Sequence, residues 1–476
     1  MTTPSPGSGR RRLVVVGGDA AGMSAASQAR RRIGPDDLEI VAFERGTDTS
    51  YSACGIPYWI GDVVDERDDL VVRTPQEFRE RQSIDARIRH EVVGIDTQAG
   101  RVRVRDLDAG REDQVGYDHL LLATGATPVR PPIPGLDGPG VFGVQTLDDG
   151  QAILDHVAGR DVRRAVVVGA GYIGLEMAEA MVVRGYEVDL VERSGRPMST
   201  LDADMGDRVA EAMRKMGIRL HLGTAVESVE HADGALRAVV TGDGTLDADI
   251  VVLGMGTRPN SDLARDAGIP VGPETGAIVV DLRQRSRVDG VWAAGDCAEV
   301  HHRVTRAPAA IALGTIANKT GRVAGINLGG GYATFPGVLG TAVTKVCGVE
   351  IGRTGLGERD AEAAGFHPVT TIVETTTKAG YWPDTATMDV KVIAERRSGR
   401  LLGAQIVGGE GSCKRIDTFA AALWNRMTVE ELLNVDLSYA PPFSPLWDPV
   451  LIGARKAWEA VVADTSTAPR GRDDAR

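Results

Sequence analysis

The sequence predicts an α/β protein with two Rossmann-like dinucleotide-binding domains followed by a C-terminal α+β domain. Two observations carry that reading. A short apolar strand, a glycine turn and a helix of small residues occur twice, at RRLVVVGGDAAGMSAASQARRR and RRAVVVGAGYIGLEMAEAMVVRG, about 150 residues apart. From PGVLGTAVTKV onward the pattern changes to alternating strands (TIVETTT, MDVKVIAE, RLLGAQIVG), then helical IDTFAAALWNRM and VEELL.

Taken in chain order, residues 1–10 are rich in Pro, Ser and Gly and read as a loose tail, as do the small and charged residues 466–476. The first turn, Gly17-Gly18-Asp19-Ala20-Ala21-Gly22, departs from GxGxxG at its middle glycine, where Asp19 stands. The second, Gly169-Ala170-Gly171-Tyr172-Ile173-Gly174, fits fully, with glycines for the tight turn, the pyrophosphate approach and helix packing. Each unit continues into a strand closing on an acid, Glu44 in LEIVAFER and Glu192 in YEVDLVER. That is the ~20-residue separation of a carboxylate that reaches an adenosine ribose.

Composition narrows the function. The 476 residues carry 54 Lys+Arg against 66 Asp+Glu, a net charge of −12, which argues against nucleic acid or an anionic membrane as partner. No apolar run approaches the ~20 residues of a membrane span. The 59 glycines are well above the usual ~7%, so tight turns are frequent. Cys54, Cys297, Cys347 and Cys413 are widely spaced, without a CxxC pair or metal-ligand spacing, so no metal site and no disulfide scaffold are expected. A reducing, cytoplasmic location follows.

YDHLLLATGATP reads as a buried strand entering a glycine turn at Thr124-Gly125, and GVWAAGDCAEV as a strand ending in Gly295-Asp296. With the two glycine units these resemble the ATG and GD signatures of the two-dinucleotide-binding-domain flavoproteins. The resemblance implies FAD on the first unit, with contacts at Gly17, Gly18, Ala21, Gly22, Glu44, Arg45, Thr124, Gly125 and Asp296, the last bonded to the ribityl chain. It implies NADH or NADPH on the second, at Gly169, Gly171, Tyr172, Ile173, Gly174, Glu192 and Gly256. Glu192 favours the 2′-OH of NADH, although Arg193 and Arg196 lie just beyond it. The expected divisions are an FAD-binding domain at 11–150 and 261–330, an NAD(P)H-binding domain at 151–260 and the α+β domain at 336–465.

Between the two units lies Ser50-Tyr51-Ser52-Ala53-Cys54-Gly55-Ile56-Pro57-Tyr58. A cysteine just before a helix start is expected to have a depressed pKa, and so to be a nucleophile. Serines stand where a second cysteine would store electrons as a dithiol. Oxidised Cys54 must therefore be a sulfenate, a persulfide or a mixed disulfide with an external thiol.

The run SxxxCGxPY at Ser50–Tyr58, ANKxGR at Ala317–Arg322, Lys414-Arg415-Ile416-Asp417 and Ser438-Tyr439-Ala-Pro-Pro-Phe-Ser-Pro resemble the single-cysteine branch of the pyridine nucleotide-disulfide oxidoreductases. That branch holds coenzyme A-disulfide reductases, NAD(P)H persulfide and polysulfide reductases, and NADH oxidases and peroxidases. The resemblance covers about residues 12–460 and implies a homodimer in which the third domain brings Tyr439 to the partner's flavin and Cys54. Tyr381, in GYWP, falls where coenzyme A-disulfide reductases carry a tyrosine near that site. Ser24, Gln28, Arg31 and Ser50 match the positions of substrate contacts. Ala20 stands where peroxidase and oxidase members place a histidine, and no sulfur-transfer module is expected after residue 460.

Three readings follow. The first is an FAD-dependent NAD(P)H oxidoreductase reducing a small disulfide or persulfide at Cys54, coenzyme A disulfide leading. The second is an NADH oxidase cycling Cys54 through sulfenate. The third is an electron-transfer or redox-sensing flavoprotein acting on a protein partner.

Overall fold

The computed structural model describes residues 10–159 and 161–467. The expected N-terminal tail lies outside the described residues apart from Arg10. The last helix, Pro449–Thr467, runs two residues past the expected domain end at 465, and the rest of that tail lies outside the described residues.

The first unit is built on a parallel sheet of five strands. β1 (Arg11–Val16) pairs with His119–Leu122 on one side and with β2 (Leu38–Phe43) on the other; Val291–Ala293 and Asp85–Arg87 form the edges. Leu13, Val14 and Val15 are wholly buried, as continuous apolar strands must be when helices cover both faces of a parallel sheet. Helix α1 (Ala20–Arg30) lies on one face beside the helix Gly314–Leu328. A Cβ on Gly321 would meet Ala21 O at 2.3 Å and one on Gly325 would meet Ala25 O at 2.3 Å, so these two helices approach closer than any side chain allows. The strand Val291–Ala293 thus returns the chain to the first sheet some 170 residues after it left.

The second unit repeats the plan, with parallel strand order Arg219–Leu222, Glu187–Glu192, Arg164–Val168, Ile250–Leu253, Val141–Gly143. Its edge strand Val141–Gly143 pairs with Val251–Leu253, so the second sheet draws on chain before residue 150, where the sequence placed the division. Three residues are too few to show a period, which is why the strand is not legible in sequence. Each unit also carries a three-stranded antiparallel meander, at His90–Gly116 and Val226–Asp247.

The C-terminal domain is an antiparallel five-stranded sheet, in the order Ala342–Val346, Val349–Gly355, Leu401–Gly408, Thr387–Glu395, Pro368–Thr376. The helices Ile416–Trp424 and Pro449–Thr467 pack on it around Phe419, Ile416, Val390 and Val392. All of the strands and helices expected from the alternating pattern are present, shifted by at most three residues at their ends.

A buried polar junction fixes this domain to the second unit. Lys391 is 1% exposed; its ammonium meets Asp204 at 2.8 Å, Asp202 at 3.1 Å and Glu358 at 3.2 Å. Asp202 is also held by Gln405, whose amide nitrogen donates to Oδ2 at 2.9 Å while its oxygen accepts the Asp202 N–H at 2.9 Å. Removing Lys391 strands the buried Asp202 carboxylate without its cation, while Asp204 and Glu358 keep contact with solvent. Lys391→Met should therefore cost on the order of 3–5 kcal/mol in urea unfolding, against under ~1 kcal/mol for removing the exposed Lys215–Glu211 pair.

Candidate active site

Both glycine turns are closed by the acid of the following strand. Glu44 accepts the Gly18 N–H at 2.8 Å and the Gly46 N–H at 2.7 Å; Glu192 accepts Ala170 N–H at 2.8 Å and Ser194 N–H at 2.7 Å. Gly17 (φ +109°) and Gly169 (φ +100°) turn the chain where only glycine fits, since a Cβ would meet Ala123 O at 2.1 Å or Gly254 O at 2.4 Å. Gly171, by contrast, has only Gly254 O at 3.9 Å before it at the head of the helix Tyr172–Val183, which leaves backbone N–H groups open to a phosphate. Gly22 and Gly174 let each helix rest on its own turn, as helix-packing glycines do.

Three carboxylates converge on the first turn. Asp19 occupies the N-cap position of α1 and accepts the Tyr51 N–H at 3.2 Å; burial pushes it up to about 6, with Glu44 and Asp296 adding to the shift. Asp296 is pushed up to about 6 by burial, and its Oδ1 is buried without a hydrogen-bond partner. An orphaned acceptor of this kind fits a hydroxyl-bearing ligand such as the ribityl chain of FAD. The cradle of Gly17, Gly18 and Glu44 beside it fits the rest of a dinucleotide.

Several of the expected contacts also serve the fold. Ala21 is buried under the helix Gly314–Leu328, whose Gly321 approaches its carbonyl. The Thr124 hydroxyl donates to Asn260 O at 2.6 Å and Asn260 donates back to Thr124 O at 2.8 Å, so the turn at Gly125 is tied to the loop just after the short strand Thr257–Pro259. Gly256 (φ +86°) accepts the Val129 N–H at the paired crossing between the two units. Arg45 is exposed beside Glu44, and Ile173 opens the second helix with Tyr172, whose hydroxyl is buried without a partner.

Cys54 sits on a 3₁₀ turn, Ala53–Gly55, that leads into the short helix α2 (Ile56–Ile60), begun by Pro57 and ended at Gly61. Ile56, Trp59 and Ile60 are buried in one core with Leu175, Met177, Ala178 and Met181 of the second unit's helix, and Ile56 and Trp59 also close on Gly150 of the helix Leu147–Val157. Arg184 locks the docking, bonding Ile60 O and Asp62, the latter at 2.6 Å. Cys54 itself is exposed, unlike buried Cys297 and Cys413. Ser50, at φ +51°, hangs this loop on the first turn through its N–H to Gly18 O at 3.1 Å.

The expected depression of the Cys54 pKa is not found. Crowding by protein around the exposed thiol pushes it up, and the charges of Glu176, Asp296 and Asp19 push further. A helix of five residues has too little dipole to offset three carboxylates. Glu176 is a site residue that sequence reading missed, because it lies on the apolar helix YIGLEMAEA and its partner is distant in the chain. Burial raises its own pKa, and it accepts the Thr344 hydroxyl of the C-terminal domain at 2.7 Å.

Tyr381 and Tyr439 lie together on the C-terminal domain, 76% and 46% exposed, with their hydroxyls in hydrogen-bond reach. Loss of hydration and the Tyr381 hydroxyl push Tyr439 up, and Cys54 has no part in that shift within one chain. Ser24 and Gln28 line one face of α1 with exposed Arg31 a turn beyond; Ser24 donates to Asn318 Oδ1 at 2.7 Å, beside exposed Lys319 and Arg322. No helix among the described residues is long and apolar enough to cross a membrane, and none of their His, Cys, Asp or Glu side chains group to hold a metal.

Residues 11–314 match the family model for pyridine nucleotide-disulphide oxidoreductases, and residues 341–449 match that family's dimerisation domain. The NAD(P)H sulfur oxidoreductase (CoA-dependent) of Pyrococcus furiosus is 39% identical over 94% of this chain and 99% of its own. An NADH oxidase of Methanocaldococcus jannaschii is 36% identical over 94% and 98%. The structure of an NAD-dependent persulfide reductase from A. fulgidus superposes with a TM-score of 0.90 at 38% identity, covering 94% of this chain and 83% of that one. The chain belongs to the pyridine nucleotide-disulphide oxidoreductase family. It is an oxidoreductase of an FAD-dependent class that draws its electrons from a pyridine nucleotide.

Two outcomes test the electrostatics. Glu176→Gln should lower the pH at which iodoacetamide alkylates Cys54, measured between about pH 8 and 11; an unchanged profile would remove Glu176 from the thiol's surroundings. Asp19 has a folded-state pKa above its ordinary value, so its stabilising contribution is full below about pH 4 and is lost as pH rises through about 6. Asp19→Asn, which keeps the acceptor for Tyr51 N–H, should raise the urea midpoint at about pH 7.5 and leave it unchanged near pH 4.

Proposed function

We propose that the protein is a cytoplasmic, homodimeric FAD enzyme that uses NADH, in preference to NADPH, to reduce a small disulfide or persulfide at Cys54. Coenzyme A is the leading thiol. The observation that carries this reading is Cys54, the most exposed of the cysteines, with serine at positions 50 and 52, while Cys297 and Cys413 are buried and Cys347 is half-buried. Only a substrate can then bring the second sulfur.

In the proposed cycle the turn Gly169–Gly174 holds the pyrophosphate of the nicotinamide cofactor, and Asp296 with Glu44 holds the hydroxyls of FAD. Bound FAD supplies two-electron transfer between nicotinamide and sulfur. Cys54 thiolate attacks one sulfur of RS–SR, forming Cys54–S–SR and releasing RS⁻, to which Tyr439 of the partner subunit gives a proton. Two electrons from NADH then cleave Cys54–S–SR into thiolate and the second RS⁻. The sum is RSSR + NADH + H⁺ → 2 RSH + NAD⁺. Because the Cys54 pKa is raised, attack needs a prior proton loss, and the reductive half-reaction is what returns the thiolate ready for use.

The exposed Tyr381–Tyr439 pair supports the homodimer, since exposed phenols side by side on the C-terminal domain are in position to serve a neighbour's site. The cationic seam of Arg31, Lys319 and Arg322 beside Ser24 and Gln28 supports coenzyme A, whose phosphates suit guanidinium forks.

Anaerobic NADH oxidation tests the reading with coenzyme A disulfide, coenzyme A persulfide and polysulfide as acceptors, and an aerobic arm without disulfide. Turnover with a sulfur acceptor should fall on the order of 10³-fold in Cys54→Ser. Consumption of oxygen at the full rate with no response to any sulfur acceptor would make the protein an NADH oxidase instead.

A further inference from the structure

The first glycine turn departs from the second at one position, and the departure is a carboxylate. Asp19 stands where the middle glycine of the fingerprint lets the backbone approach a pyrophosphate, whereas Gly171 keeps that place in the second turn. Aspartate is a favoured N-cap, yet Asp19 makes no capping hydrogen bond to α1. Its Oδ1 accepts the Tyr51 N–H at 3.2 Å instead, which ties it to the loop that carries Cys54. The N–H groups at the head of α1 are thus left for an anion, with an acid standing beside them.

The groups around that acid are themselves acidic. Glu44, just past β2, spends its oxygens on the Gly18 N–H at 2.8 Å and the Gly46 N–H at 2.7 Å, and its charge bears on Asp19. Asp296, in the turn after Val291–Ala293, adds to it, and the loop after β2 brings the Tyr51 phenol and the Cys54 thiol, which both respond to Asp19. The helix Gly314–Leu328 meets α1 through Gly321 and Gly325, while its Lys319 and Arg322 are exposed. Burial holds Asp19 up at about 6, and what draws it down are the backbone N–H groups of Tyr51 and Ala20.

Beside a pyrophosphate, whose oxygens are anionic and only accept, an ionised carboxylate is repelled and has no hydrogen to give. A protonated one loses the charge and gains a donor. Asp296 differs, because ribityl hydroxyls can donate to its orphaned Oδ1 and so favour its charged form. We propose that Asp19 is a further FAD-binding residue that takes one proton from solvent as FAD binds, so that the complex holds it as a neutral acid. The balance is Asp19–COO⁻ + H⁺ + FAD → Asp19–COOH·FAD. This rests on the first unit being the FAD site, and deepens that reading. The second turn, with glycine at the matching place, has no such link to its nucleotide.

The test is calorimetric titration of FAD into the full chain freed of flavin, with reloading shown to restore the holoenzyme spectrum. Flavin fluorescence of FAD released from diluted holoenzyme gives a second readout. Wild type, Asp19→Asn and Asp19→Gly are compared at about pH 6.5 and 8, in buffers of low and high ionisation enthalpy. Asparagine keeps an acceptor for the Tyr51 N–H, and glycine restores the fingerprint residue, which covers the case in which the asparagine variant fails to fold. Wild type should take up about one proton per FAD at about pH 8 and bind FAD about tenfold more weakly than at about pH 6.5. Both variants should bind FAD with no proton uptake and no pH slope. Wild-type binding without proton uptake would overturn the proposal, as would uptake that persists in either variant, which would assign the proton to Glu44 or Asp296. NAD⁺ binding to the holoenzyme should show no such slope, and an equal slope there would also overturn it. If the chain binds FAD at neither pH, the FAD-site reading fails as well; pH-independent FAD binding sinks this proposal alone.

Discussion

The arrangement depends on one docking: the segment carrying Cys54 lies against a helix of the other nucleotide unit. Ile56, Trp59 and Ile60 are each worth about 1.5–3 kcal/mol when buried, and they share one buried core with Leu175, Met177 and Ala178. Arg184 then fixes the far end through Ile60 O and Asp62. The consequence is geometric. A thiol belonging to the first glycine unit is carried beside the helix that begins at the second glycine turn, where the charge of Glu176 reaches it.

That neighbourhood is strongly negative, which gives it a chemical character. Asp19, Glu44, Asp296 and Glu176 all bear on the same cleft, and burial raises Asp19, Asp296 and Glu176 above the usual carboxylate range. Cys54 is consequently kept as a thiol rather than offered as a permanent thiolate. A resting thiol resists oxidation to sulfenate, since the thiolate is the species oxidants attack. The C-terminal domain takes part through Thr344, which bonds Glu176, and through Cys347 N–H, which bonds Glu179 at 2.9 Å. The Lys391 junction holds the same domain against the second unit from another side.

Much of this was legible in the sequence, and what was not has a common cause. The glycine turns, Glu44, Glu192, Cys54 and the alternating strands of the C-terminal domain announce themselves through short-range spacing. Glu176, Asn260, Asp202 and Lys391 do not, because each acquires its role from a partner more than 130 residues away. The Cys54 pKa was misjudged for the same reason: the local rule saw a helix start, while the carboxylates that decide the matter come from residues 19, 176 and 296. Ala21, expected at a cofactor from its place in a glycine turn, also takes the packing of Gly321 on its carbonyl, a role no local pattern shows.

The central claim is that Cys54 exchanges with a sulfur that the protein does not itself supply. Intact-mass analysis of the protein isolated without reductant, followed by peptide mapping, addresses it directly. The account predicts one low-molecular-weight thiol bound to Cys54 and released by dithiothreitol, with Cys297, Cys347 and Cys413 unmodified. A disulfide between Cys54 and another cysteine of the chain would contradict it.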